Sequence, residues 1–482
     1  MRESLQELSI SGLRDAQRSG RLSAVEIADV QLAAVEASAT GLNAVVVWDP
    51  DAVRQQARDI DAARQRGEPL GALAGIPLTV KDSFDVAGLD GSIGVPSSVH
   101  RASVDSPSVA RLRAAGAVLL GKTNIPAHLD APDSANEVYG RTLNPWDGAR
   151  TAGGSSGGSA AAVSAGLSWG DLGSDLAGSI RVPASWCGVF GHRPSTGIIS
   201  KRGHLPWPLG ARIDPSASAA GPLAQTAADL RELFDVLAAP EHPESRVWRL
   251  DLPVSRFDVR AGAGAAGGAG LTGLRVGVWR GEPSAPVDDE TAGVLDDLVR
   301  RLVAAGCTIV EVRRSPLATA DAEALFGRLI EHEISFGASL ADGRLDTPGS
   351  STAGAPMSAV WADWDAQRRL RDQWESSLDD LGVDVVLAPV TPSVAPLVGQ
   401  ITDENLRRAV GRWSCMSNLS MGPSTTIPVA LGSRTGMPVG VQAIGRFGDD
   451  LTTLAFAGLL EKRGLIERLR PPNHPPQLEG PA

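Results

Sequence analysis

Of 482 residues, only three are cysteine, one is tyrosine and seven are histidine. Cys187, Cys307 and Cys415 are odd in number and far apart. They fit a reducing cytoplasm better than a disulfide framework. CxxC and HExxH are both missing and the histidines are scattered, which argues against a zinc site. No metal and no organic cofactor is expected. No apolar run approaches the ~20 residues of a membrane helix. The opening MRESLQELSISGLRDAQRSGRLS carries charges every few positions and no apolar h-region, so no secretory signal is expected. Basic clusters are also missing, and the formal net charge is -11. Nucleic acid and acidic membrane surfaces are therefore disfavoured as partners.

What is present is an ordinary globular mixture, 43% hydrophobic and 21% charged. Length alone suggests about three domains of ~150 residues, but the pattern argues against division. Residues 5–37 read as two amphipathic helices, with Ser23 and Glu26 forming a capping box. Strand-like runs at 43–48, 75–84 and 117–121 alternate with helices at 51–66 and 105–115. Further on, strands are expected at 274–280, 307–312, 384–390 and 438–445, and helices at 288–305, 358–382 and 450–463. This alternation predicts a layered α/β protein around a mainly buried sheet.

Gly116-AVLL-Gly121-Lys122-Thr123 matches the phosphate-loop pattern GxxxxGK[ST]. That mechanism needs a strand before the first glycine and a helix after the lysine. Here the order is reversed, and Asn124-Ile125-Pro126 prevents an immediate helix. A helix-turn-strand corner is expected instead. The Gly/Ala tract 261–270 lacks hydroxyls and is expected to be a mobile surface loop.

Three features bear on chemistry. Lys81 follows LTV; GGSSGGS (153–159) is a Gly-rich turn leading into a small-residue helix, which suits an anion or oxyanion; and Ser179 lies in GSDLAGSIRVPASWCGVFG (173–191). Read singly, these are as well explained by a solvated lysine, a linker and a helix-capping serine. Read together, the segment GGSSGGSAAAVSAG…GSDLAGSIRVPASWCGVFGHRPSTG (153–197) resembles the signature of the amidase signature family of serine hydrolases. GIPLTVKDSFDVAG (75–88), LLGKTNIPA (119–127), YGRTLNPWD (139–147), GPLAQTAADL (221–230), DVVLAPVTP (384–392) and GMPVGVQAIG (436–445) follow in family order.

The resemblance implies an α/β amidase signature fold, with a large twisted mixed β-sheet core sandwiched by helices. It implies one domain over residues 1–470, with a signature core near 70–230; composition adds a mobile loop at 259–272 and a disordered Pro-rich tail at 471–482. It also implies a Ser179 nucleophile, a bridging Ser155 held by a cis peptide, and Lys81 as the base. A serine hydroxyl needs such a base, and burial leaves a lysine amine neutral. The oxyanion hole falls on the N–H groups of Leu176, Ala177, Gly178 and Ser179. Asp175, Arg181 and Ser156 support the turn, and Cys187 is read as a packed small hydrophobe.

Departures from the family pattern bear on substrate. Ala177 stands where the family carries a glycine, and a Cβ there costs about 1 kcal/mol if φ is positive. The stretch 127–134 lacks the hydroxyls that hold glutamine in glutaminyl-tRNA amidotransferase subunits, which argues against that role. Gln225, in place of an arginine, is read as a structural change. His128, Asp130, Asp133 and Trp207 are the candidate substrate residues, His128 being read more readily as a core histidine. Trp207 with Trp361 and Trp364 would line an aromatic pocket for aryl or hydrophobic amides, anilides or carbamates. The expected function is hydrolysis of a small-molecule amide by a cytoplasmic enzyme, with a homodimer possible. The alternatives are a transacylase using the same acyl-enzyme and a non-catalytic binding subunit.

Overall fold

The computed structural model describes residues 5–207, 214–253, 270–281, 286–341 and 356–472. Residues 259–269 of the expected loop and 473–482 of the expected tail lie outside them. The fold is α/β, and its centre is one mixed sheet of eleven strands. In chain order these are β1 (Val45–Val47), β2 (Pro77–Lys81), β3 (Val118–Thr123), β4 (Gly170–Asp175), β5 (Phe190–Arg193), β6 (Ala219–Ala224), β7 (Arg275–Val278), β8 (Thr308–Glu311), β9 (Val385–Pro389), β10 (Ser424–Leu431) and β11 (Pro438–Ile444). Across the sheet the order is β1-β3-β2-β4-β6-β5-β10-β11-β9-β7-β8. The pairs β3/β2, β2/β4, β9/β7 and β7/β8 are parallel; the rest are antiparallel.

Burial explains which strands have a visible pattern. β2 and β9 are buried along their whole length, and PLTVK and VVLAP read as near-continuous apolar runs, as covered strands do. β4 (GDLGSD), β5 (FGHR) and β6 (AAGPLA) are equally buried but are built from small and polar residues. Their sequences do not announce strands. β10 and the helices Arg181–Cys187, Ala227–Leu237, Ala320–Ala341 and Glu404–Leu419 are also additions to the expected elements, although Ala227–Leu237 and Glu404–Leu419 are amphipathic and carry N-caps at Thr226 and Asp403. The expected helix at 358–382 spans Met357–Leu381.

Local signals hold at the helix ends. Ser23 Oγ accepts the Glu26 N–H at 3.1 Å, and the Glu26 carboxylate accepts the Ser23 N–H at 2.7 Å, the expected box. The phosphate-loop look-alike is a corner: the helix Pro107–Ala114 ends, Gly116 turns at φ 86°, and β3 begins. Lys122 lies buried on β3, its Nζ 3.3 Å from Asp82 and donating to the Asp90 carbonyl at 3.0 Å.

One apolar cluster covers the strands through Val80, Leu172, Val276 and Leu387. A second gathers Trp279, Phe326, Trp374 and Trp413 where the helices Ala320–Ala341, Met357–Leu381 and Glu404–Leu419 meet the sheet. Among the described residues, no helix is long and apolar enough to cross a membrane.

Candidate active site

β2 and β4 are parallel neighbours, and that pairing sets Lys81 at the end of one beside Ser174 on the other. Lys81 is fully buried. Its Nζ donates to Ser155 Oγ at 2.7 Å and to Ser174 Oγ at 2.9 Å. Burial, helped by the charge of Lys201, pushes its pKa down to about 7. The adjacent Asp82 does not offset this, because its carboxylate faces Lys122 and Ser92. An amine hydrogen-bonded to a hydroxyl and lacking a carboxylate partner is suited to take a proton at neutral pH.

Ser155 follows a cis Gly154–Ser155 peptide. A Cβ on Gly154 would run into the Ala131 carbonyl and lie 2.7 Å from the Asp133 nitrogen, so the 131–133 segment fits only against glycine. The next residue, Ser156, donates its N–H to the Ser179 carbonyl at 3.1 Å. The two serine-bearing turns are thereby tied together. Ser156 Oγ also meets the Ser174 carbonyl at 3.3 Å.

The 175–179 turn is shaped by a buried ion pair. Arg181 Nε–H and Nη2–H reach the two Asp175 oxygens at 2.9 and 2.8 Å. Its other N–H groups go to the Ser414 carbonyl, Gln442 and Asn418, so the whole five-donor fork is engaged. Burial works to raise the Asp175 pKa, but the arginine and the hydrogen bonds outweigh it and hold the carboxyl well below the usual carboxylate range.

Two expectations about this turn change. Gly178 donates its N–H to Asp175 Oδ1 at 2.9 Å, so that donor supports the turn and is withdrawn from the expected oxyanion set. No acceptor among the described residues takes the N–H groups of Leu176, Ala177 or Ser179. The carbonyls of Leu176 and Ala177 are held by Asn418 Nδ2 (2.6 Å) and Ser414 Oγ (2.9 Å). The second correction concerns Ala177. Gly178, at φ 93°, is the one residue of the turn with positive φ, so the alanine carries none of the anticipated strain.

The expected substrate residues divide. His128 is exposed, with φ 56°, so the core reading is wrong. Asp130 is exposed too, and its carbonyl accepts from Arg407 at 3.0 Å. Asp133 is buried, paired with Arg141 and accepting from Thr151 Oγ1 at 2.8 Å; its carboxylate is committed to the fold. Trp207 is buried against Phe336, 5.7 Å between centroids, with Lys201 Nζ 5.1 Å from its ring. Trp361 is 62% exposed and packs edge-on against Trp364; among the described residues no ring contact joins Trp207 to either of them. Cys187 is buried, which pushes its thiol far up, and Gln225 donates to the Val163 carbonyl.

Sequence reasoning missed Ser174, Lys201 and His204. Ser174 lies one residue before Asp175 in the quoted motif, and His204 in the loop that carries Trp207. Neither position carries a signal that it reaches β2.

Comparison with known proteins follows this geometry. The chain matches the Amidase family model over residues 26–348 and 349–454. It is 34% identical over 490 residues to a glutamyl-tRNA(Gln) amidotransferase subunit of Bordetella avium (strain 197N), covering 93% of this chain and 94% of that one. A chain from a vestigial protein complex bearing on the evolutionary origins of an s-triazine catabolic enzyme superposes with TM-score 0.80 at 30% identity, covering 96% of this chain and 100% of that one. A peptide amidase from Stenotrophomonas maltophilia superposes with TM-score 0.79 at 25% identity, covering 97% and 99%.

Proposed function

The chain belongs to the amidase family, and from that premise we propose that it transfers the acyl group of a carboxylic amide through Ser179. The observation that carries the reading is Lys81, an amine with pKa near 7 joined to Ser155 at 2.7 Å. Neutral Lys81 takes the Ser155 proton as Ser155 takes that of Ser179. Ser179 Oγ bonds to the carbonyl carbon, and the N–H groups of Leu176, Ala177 and Ser179 receive the oxyanion. Collapse breaks the C–N bond, and the proton returns through Ser155 to the leaving nitrogen. An acyl-enzyme ester remains.

Two acceptors can then take the acyl group. Water gives the acid, the hydrolysis expected from the sequence. A nitrogen nucleophile gives a new amide, and the name of the relatives, amidotransferase, favours this second reading. It also weighs against the rejection of that role drawn from residues 127–134. Those relatives are named as subunits, which makes a second chain a natural partner. For the acyl side, Leu176 and Ala177 pack against the apolar cluster of Phe326, Trp413 and Met416. The part-exposed Leu176 and Ala177, seated on that core, offer apolar surface beside Ser179 and support aryl or otherwise hydrophobic acyl groups. No metal or organic cofactor enters any step.

The test is product partition. Purified protein is given a panel of aryl, alkyl and primary amides, with and without hydroxylamine as nitrogen acceptor. Hydroxamate exceeding acid supports transfer, and acid alone supports hydrolysis. Neither product, with no Ser179 label from a fluorophosphonate, returns the chain to the reading of a non-catalytic binding partner.

A further inference from the structure

Lys81 has a second hydrogen-bonded branch that the relay to Ser155 leaves unused. Ser174 Oγ accepts from Lys81 Nζ at 2.9 Å and lies 2.7 Å from His204 Nε2. The same nitrogen is 2.9 Å from Ser83 Oγ. Each of these side chains is buried. Because Ser174 Oγ already receives an N–H, its own proton needs an acceptor, and a buried donor left unmet is costly. Once Lys81 is an ammonium it has no lone pair to accept with, and among the described residues His204 Nε2 is then the acceptor within reach of that proton. In that state the imidazole is neutral with its lone pair on Nε2 and its hydrogen on Nδ1, a buried nitrogen with no hydrogen-bond partner among the described residues. Ser83 Oγ competes for the same lone pair. Burial and the charges of Lys201 and Lys81 all act against its protonation, and the Phe84 ring closes one side at 4.6 Å.

We infer that His204 is a positioning residue that stabilises the ammonium form of Lys81 through Ser174, rather than a pocket or packing residue. This rests on the reading of Lys81 as the proton acceptor. When Lys81 accepts the proton of Ser155, its N–H points at Ser174 Oγ, and the Ser174 O–H points at His204 Nε2. The two hydrogen bonds align and strengthen one another as charge appears. No bond is made or broken in this branch; it only orients and polarises. Most of the other charged groups facing Lys81 have their own partners. Asp175 is neutralised by Arg181, Lys122 is turned to Asp82, and Lys201 Nζ donates to Ser218 at 2.6 Å. Asp171 on β4 accepts from Thr123 at 3.0 Å through one oxygen, its other oxygen being buried without a partner among the described residues, and its charge favours the ammonium form of Lys81.

The experiment measures the rate of fluorophosphonate labelling against pH for the full chain, its His204→Leu, His204→Gln and Ser174→Ala variants, and Ser179→Ala. Losing the terminal acceptor makes the ammonium less stable, so the acid limb of His204→Leu should move down by about one pH unit. Its plateau should fall about threefold to tenfold, because a weaker base accepts the proton less readily. His204→Gln, whose amide oxygen can accept, should restore most of both. Ser174→Ala should reproduce the shift, and the double variant should add nothing to it. A rate loss with the limb unmoved, or a limb displaced upward, overturns the inference. If His204→Leu does not fold, His204→Ala is read by the same criterion, since Ser174→Ala by itself reports the bond to Lys81 and not the histidine. Labelling that persists in Ser179→Ala overturns the acyl-enzyme reading instead, a separate and recognisable outcome.

Discussion

Asp175 and Arg181 meet in a space closed to solvent, with two hydrogen bonds of 2.8 and 2.9 Å and both side chains fully buried. The same carboxylate holds the Gly178 N–H, so the pair shapes the turn that carries Ser179.

Removing one partner should therefore be severe. Arg181→Met leaves a buried carboxylate uncompensated, and denaturant unfolding should show a loss of about 3–5 kcal/mol. Arg181→Lys should not rescue it, since an ammonium cannot supply five planar donors. The folded Asp175 pKa lies below its unfolded value near 3.9. Its contribution is present above that pH and disappears as pH falls through the folded value. Asp175→Asn should accordingly flatten the acid side of the stability curve, measured from about pH 2 to 7.

Labelling of Ser179 should follow the neutral fraction of Lys81. The rate should rise about tenfold per pH unit below 7 and level off above it. Lys81→Arg should be inert at every pH. Because the lysine pKa is lowered on folding, its burial penalty is full below about 7 and is relieved as pH rises toward ~10.4. At about pH 6, Lys81→Met should thus be inactive yet melt no lower than wild type.

Positions 177 and 178 should behave in opposite ways. Ala177 has no need of left-handed freedom, so Ala177→Gly should keep the labelling rate within about twofold and cost ~0.5–1 kcal/mol of stability. Gly178 sits at φ 93°, and an added Cβ would lie 2.7 Å from Ser414 Cβ. Gly178→Ala should reduce labelling by more than about a hundredfold, an oxyanion-turn magnitude, with folding checked by circular dichroism.

Lys122 gives a test of the look-alike motif. Millimolar ATP or GTP should leave the melting temperature of wild type unchanged, whereas Lys122→Met, which strands Asp82, should lower stability by about 3 kcal/mol. A nucleotide-dependent rise in melting temperature would refute the corner reading.

Elements with hydrophobic rhythm are legible in the sequence: β2, β3, β9, β11 and the helices Asp289–Ala304 and Met357–Leu381 lie near their expected bounds. β4 and β6 are not, because small residues packed between close neighbours show neither alternation nor an apolar run, and β5 is only four residues with a buried histidine and arginine. The motif points to Lys81, Ser155 and Ser179, but not to their surroundings. Ser174 and His204 are 93 and 121 residues from Lys81 and Ser83, their respective partners, and only strand pairing and a returning loop join them. His128 misleads because its type suggests a core role, while it lies exposed in a short turn with φ 56°.

From Thr151 to Ser195 every residue is buried except Leu176, Ala177 and Ser179. Mutational drift in this stretch is thus nearly all filtered by folding before it is filtered by activity. Leu176 and Ala177 are the exceptions, since Ser179 itself is fixed by its role. The side chains of Leu176 and Ala177 are therefore the two in this stretch, Ser179 apart, that reach solvent while resting on the second apolar cluster. A change there alters the surface beside the nucleophile more directly than a change at any of its buried neighbours.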